Sequence, residues 1–265
     1  MIELIKNNIT WIKDLFTLVF AGTATILSIL TYKKAKATIL QPIRNEAIKR
    51  QSEVLSNLLK FLPNNLSELL EKIDYRCIIR ANTFSILHMY GFILKEHKEI
   101  MKNIDEIVAG SIYCGKSDTI ETIEKIQTFD EISQKKEEKP YGKILYERAK
   151  QGIINIEFIN ITKKHITFMK ELSDYAKNPF LSKKIQSILE KLILDINKNL
   201  TIHIKQVFED FMKEFCKRHF ANEEIGKISP DGIYNAFNEK RINHMNDLNQ
   251  LSIAIRTVLM IDEKW

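Results

Sequence analysis

The sequence predicts an all-α protein, in which a single N-terminal transmembrane helix is followed by a long-helix cytoplasmic bundle. Three observations predict it. Leu15 to Tyr32 is a run of eighteen residues with no charged side chain, close to the length a helix needs to cross about 30 Å of hydrocarbon. Only 8 Gly and 5 Pro interrupt 265 residues, so the composition suits long elements. From Ile43 to Leu62, and again from Ile154 to Leu172, apolar residues recur mostly three and four apart, the period of a helix face.

The first element is residues 1–33. Trp11 and Tyr32 stand at the two ends of the apolar run, where amphipathic rings prefer the headgroup level, and Lys13 and Lys33 can snorkel outward. A cleavable signal carries its basic residues before the apolar core and a small-residue site after it. Here the basic cluster follows the core, which predicts a retained span. Lys33, Lys34, Lys36 and Arg44 are the membrane-surface basic residues, with Lys49 and Arg50 just beyond. Their bias predicts a single pass of the cell inner membrane, with the N-terminus outside and the remainder cytoplasmic. Residues 1–60 carry a net +5 of the chain's formal +6, so the excess reads as a topology signal before it reads as a nucleic-acid groove. Cys77, Cys114 and Cys216 are widely spaced and odd in number, which predicts a reducing compartment and no disulfide framework.

Within the span, Thr17, Ala21, Ala24, Ser28 and Thr31 recur at spacings of four, three, four and three. They form a heptad seam of small and hydroxyl side chains, continued by Ala35 and Thr38. Leu18, Phe20, Leu27 and Leu30 lie mostly elsewhere and suit lipid. Small faces let transmembrane backbones approach, so the seam predicts self-association. Three or more copies would turn it inward around a wettable path. A plain single-pass anchor whose hydroxyls bond back to their own carbonyls is the alternative reading.

Residues 34–62 form a juxtamembrane basic amphipathic helix, and Pro42 predicts a kink or restart near Gln41. The remainder, 63–265, reads as a helical cytoplasmic sensing or regulatory domain. Its expected elements are a helix from Leu66 to Val108 stopped at Gly110, a turn from Ser111 to Asp118, and a helix to Ile132 opened by Asp118 and Glu121. A charged linker or mobile loop follows over 133–142. A helix is then expected over 143–176, because Ile154, Phe158, Ile161, His165, Phe168 and Leu172 fit one stripe, although "IINIEFINI" alone would pass for a strand. Helices over Leu181 to Phe220 and Asp231 to Met260 complete the chain.

Signatures of chemistry are absent: there is no phosphate-binding glycine loop, no H-E-x-x-H and no G-x-S-x-G. No catalytic residue, cofactor or metal ligand is expected, and the chain does not read as an enzyme. The six histidines are scattered singly, and His165 on its apolar stripe is expected to bond a neighbouring carbonyl. Glu209, Asp210 and Glu214 interleave with Lys205, Lys213 and Lys217, the pattern of a solvated face with ion pairs. Arginine is rare, eight against thirty-two lysines. Arg76, Arg80 and Arg256 lie in apolar helical stretches, where a guanidinium fork suits a carboxylate or phosphate ligand, or else, for Arg76 or Arg80, an internal carboxylate such as Asp74, Glu71 or one from another helix.

The stretch "TYKKAKATILQPIRNEAIKRQSEVLSNLLKFL" carries Ala35, Lys36, Thr38, Gln41, Pro42, Arg44 and Glu46. In it the chain resembles bacterial membrane-anchored effectors of anti-phage defence, of which the Hailong-type membrane effector is nearest. The resemblance implies a homo-oligomeric ion channel that depolarises an infected cell. It also implies gating by a nucleotide or oligonucleotide made by a partner nucleotidyltransferase. No residue beyond 62 carries the resemblance, so it assigns no ligand contact. The reading that needs no pore is a membrane-tethered adaptor or scaffold docking a protein partner.

Overall fold

A computed structural model describes residues 2–94, 97–115, 141–224 and 228–260. The described residues are mostly helical, with one small sheet among them. The chain divides into two compact units, Met1–Ser56 and Asn57–Trp265.

Helix α1, Ile2–Phe61, provides the first unit and ends in the second. Its stretch from Trp11 is long and apolar enough to cross a membrane, by length and composition, and the most apolar window is wholly unburied. Leu18, Phe20 and Leu27 are among its exposed large side chains. The restart expected at Gln41 does not occur, since the helix runs through Pro42. Proline removes one amide donor of the ladder, that toward the Thr38 carbonyl. The many turns on either side keep their own bonds, and the helix survives the loss.

In the second unit the expected helix from Leu66 to Val108 is broken into three. Helix α2, Leu66–Ile73, opens with Asn65 accepting from the Glu68 amide at 2.9 Å, while Glu68 accepts from the Asn64 amide at 2.8 Å. These are reciprocal bonds of the capping-box kind. It stops at Asp74, whose φ of 67° is left-handed, a region that short polar side chains enter more readily than others. Helix α3, Tyr75–Met89, ends at Gly91 with φ +84°. There the Phe92 amide reaches back to the Leu87 carbonyl at 2.9 Å, closing the helix in the manner of a Schellman motif. Helix α4 covers His97–Ile107.

The chain then forms β1, Val108–Tyr113, in place of the expected helix stop and turn. Helix α5 covers Tyr141–Lys150 and β2 covers Phe158–Thr162, antiparallel to β1. The helix expected over 143–176 is therefore corrected: "FINIT" is a strand. An isolated two-stranded ribbon is marginal in water. Here buried Asn82 of α3 supplies a third edge, its amide donating to the Asn160 carbonyl and accepting from the Asn160 amide, both at 2.8 Å. The predicted helix from Asp118 to Ile132, and all but the end of the predicted linker 133–142, lie outside the described residues.

Thr162 ends β2 and caps α6, Lys163–Ala176, which buries His165, Phe168 and Leu172. The His165 Nδ1 lies 3.0 Å from the Ile73 carbonyl, the role expected of it. Phe61, at the end of α1, stacks on Phe168 with ring centroids 5.4 Å apart. Helix α7, Lys183–Lys198, passes through a π-helical segment, Asn199–Ile204, into α8, Lys205–Phe220. The carboxylates of α8 are paired: Asp210 with Lys240 at 2.8 Å, Glu214 with Arg218 at 2.8 Å, and Glu209 with Lys205 at 3.8 Å.

The expected last helix is two, α9, Pro230–Lys240, and α10, Met245–Leu259. Ser229 caps the first and Pro230 fills a first-turn position, where a missing donor costs nothing. Helix α9 lies on α3 through Phe237, which is fully buried edge-on to Tyr75 at 5.0 Å. Phe237→Ala is expected to cost about 3–5 kcal/mol through the cavity it leaves, read as a lower midpoint in chemical denaturation.

Candidate functional site

Three places bear on function. The first is the apolar helix. Thr17 donates to the Lys13 carbonyl at 2.8 Å, and off the seam Thr25 donates to Ala21 at 2.8 Å and Thr23 to Val19 at 3.0 Å. These hydroxyls bond back one turn, as threonines in apolar helices do. Ser28 and Thr31, three residues apart on the predicted seam, have no hydrogen-bond partner among the described residues. Ala21 and Ala24 are exposed beside them. Further along, Leu30, Thr31, Lys34, Ala35, Thr38 and Ile39 line a shallow groove of about 500 Å³. Lys33, Lys34, Lys36 and Arg44 are exposed, and none has a carboxylate partner among the described residues. Arg50 is paired with Glu46 at 3.0 Å.

The second place is a cleft of about 910 Å³ bounded by α3, α4 and the start of α9. Arg76 and Arg80 both line it, one helical turn apart, and Cys77 lies between them. Arg76 donates to Asp231 Oδ1 from Nη2 at 2.9 Å and from Nε at 3.2 Å. Of the expected internal partners, Arg76 thus has the carboxylate from another helix, on α9, and not Asp74 or Glu71. Arg80 is exposed and has no ion-pair partner among the described residues. Burial, with the nearby Asp74 carboxylate, pushes the Cys77 thiol up. Arg256 does not join this group, since it lies on α10, which packs against α7.

The third place is a buried polar cluster that sequence reasoning misses. Asn199, the first residue of the π-helical segment, donates to the Tyr75 hydroxyl at 3.1 Å and lies 2.9 Å from His244 Nε2. It also brackets Ile242, accepting from its amide at 2.8 Å and donating to its carbonyl at 3.2 Å. This bracket holds the residues between α9 and α10 out of helix and explains the break. With Nε2 facing the Asn199 amide, the His244 ring carries its hydrogen on Nδ1. Nδ1 and the Arg241 Nη1 are buried and have no hydrogen-bond partner among the described residues.

Desolvation holds His244 down at about 4, with Arg241 acting in the same sense and Asp195 and Asp247 opposing it. Asp195 and Asp247 are held by Lys198 at 3.2 Å and Lys191 at 2.6 Å. The unfolded chain therefore binds more protons than the folded one between about pH 6.5 and pH 4. Stability is fully present above pH 6.5 and falls as pH drops toward 4, by roughly 2–3 kcal/mol. Burial also lowers His165, which adds loss in the same direction. Denaturation midpoints at pH 7.5 and 4.5 check this, and His244→Gln is expected to flatten the dependence.

Tyr75 and His244 are fully buried, and through Asn199 they tie α3, the π-helical segment and the start of α10 together. No group of three His, Cys, Asp or Glu side chains among the described residues is arranged to hold a metal ion. Compared with known protein families, curated proteins and solved structures, the chain matches none.

Proposed function

We propose that this chain is a non-enzymatic, membrane-anchored effector that acts by self-association of its apolar helix. Three or more copies meet through the Thr17, Ala21, Ala24, Ser28 and Thr31 face and enclose an ion path. The lysine cluster keeps the helical bundle of the second unit in the cytoplasm of the cell whose inner membrane is crossed. That unit governs opening through a bound ligand, for which the resemblance to anti-phage effectors suggests a nucleotide product of a partner nucleotidyltransferase.

The observation that carries the reading is the pair of hydroxyls on Ser28 and Thr31 that have no hydrogen-bond partner among the described residues. In hydrocarbon a hydroxyl without a partner is costly, whereas a neighbouring helix or a water-filled path satisfies it. Both hydroxyls sit on one face between alanines that leave room for a second backbone. A water-filled path also explains why no apolar residue fills these positions.

The threonines that bond back to their own helix favour a second reading, a tethered adaptor whose span only localises it. Reconstitution separates the two. Full-length protein in liposomes is expected to dissipate an imposed potassium potential, and to elute from detergent size exclusion as three or more copies. A monomer that leaves the potential intact supports the adaptor.

A further inference from the structure

The cleft between α3, α4 and α9 has the size and lining of a small-molecule site. Its walls are apolar: Ala81 and Phe84 from α3, with Ile100, Ile104 and Ile107 from α4. Its size, about 910 Å³, matches the upper range of small-molecule sites, in which a few polar groups orient an apolar body. Those polar groups are unequally engaged. Arg76 and Asp231 satisfy each other, but 71% and 66% of their side chains remain exposed, so the pair is screened and easily exchanged. Neither Arg80 nor Glu106, the other carboxylate of the lining, forms an ion pair among the described residues.

We infer that this cleft binds a small organic anion, a phosphate or carboxylate head on a flat apolar body. The head is taken by the Arg80 fork and the body lies along Phe84 and the isoleucines. A guanidinium offers two parallel donors to such a head. Arg76 is one turn away on the same helix face, near enough to turn from Asp231 to the bound head. Glu106 opposes the anion and limits its charge. Binding does not depend on the channel reading; only its consequence does, because the freed Asp231 would loosen the first turn of α9 and so signal occupancy.

Cys77 provides the readout. It is half-buried, while Cys114 and Cys216 are buried, and it lies between the two arginines in the cleft lining. In detergent-solubilised full-length protein, 1-naphthyl phosphate at millimolar concentration is expected to slow maleimide modification of Cys77 by about tenfold, the scale of one charge-assisted contact. Inorganic phosphate and naphthalenemethanol supply the head or the body alone and are expected to leave the rate within about twofold. Arg80→Ala removes the protection. Glu106→Gln lowers the naphthyl phosphate concentration needed for it. Both side chains are exposed, so neither change threatens folding, and each protection is taken against the same variant without ligand.

No protection by naphthyl phosphate, or protection undiminished in Arg80→Ala, overturns the site. Equal protection by either half alone overturns the stated class. Phosphatidylglycerol nanodiscs without added ligand are expected to leave the rate unchanged, and protection there assigns the cleft to a lipid headgroup in place of a soluble anion. Protection without any change in ion flux retains the site and removes the channel reading's claim on it.

Discussion

Asn199→Ala is expected to destabilise the second unit by about 3–4 kcal/mol, among the largest effects of any single substitution outside the apolar core. The amide of Asn199 makes four contacts: the Tyr75 hydroxyl, His244 Nε2, and both the amide and the carbonyl of Ile242. Alanine removes all of them and leaves three residues with buried polar groups to be desolvated without compensation. The loss spreads, because the Ile242 bracket holds the α9–α10 break and Tyr75 supports Phe237. In thermal unfolding the midpoint is expected to fall by roughly 10 °C, given two to four degrees per kcal/mol at this size. Asn199→Asp distinguishes the tie from simple packing. It keeps an acceptor for the Ile242 amide, loses the donors, and places a carboxylate beside His244, so the histidine is expected to titrate above the value near 4 that it has with Asn199.

Ser28→Leu is expected to abolish self-association while leaving insertion intact. Leucine is more apolar than serine, so the span is retained; its branched side chain fills the space between Ala24 and Thr31 that a second backbone needs. Interhelical contacts in membranes are worth at most about 1–2 kcal/mol each, roughly tenfold in association, and an assembly of three or more copies repeats the loss at every interface. Ion flux and oligomer size should therefore fall together. Leu18→Ala, off the seam, should change neither, and an adaptor would tolerate Ser28→Leu without loss.

Much of the helical architecture was legible because its signals are local. The uncharged run to Tyr32, Pro230 at the start of α9, and the uninterrupted stretch from Leu181 to Phe220 all lie within a few turns of what they determine. The breaks were hidden because their causes lie far away in sequence. "FINIT" is a strand because Asn82, 78 residues from Asn160, completes its edge. The α9–α10 break depends on Asn199, 43 residues from Ile242. Asp74 leaves the helix in a left-handed turn, where its carboxylate accepts from the Thr162 hydroxyl at 2.7 Å. The candidate cleft was half legible. Rarity singled out Arg76 and Arg80, but composition did not reveal that Asp231, 155 residues away, holds the first, that the second has no ion pair among the described residues, or that Arg256 stands apart on α10.

Cysteine cross-linking in the bilayer tests the central claim most directly. Single cysteines are placed in turn at positions 17, 21, 24, 28 and 31, and at 18, 20, 27 and 30, in a chain with Cys77, Cys114 and Cys216 replaced by serine or alanine. After oxidation in native membranes, dimers and higher species should peak at the first set and be low at the second, tracing the seam. Uniform yields around the helix, or none anywhere, would contradict a meeting of copies through this face.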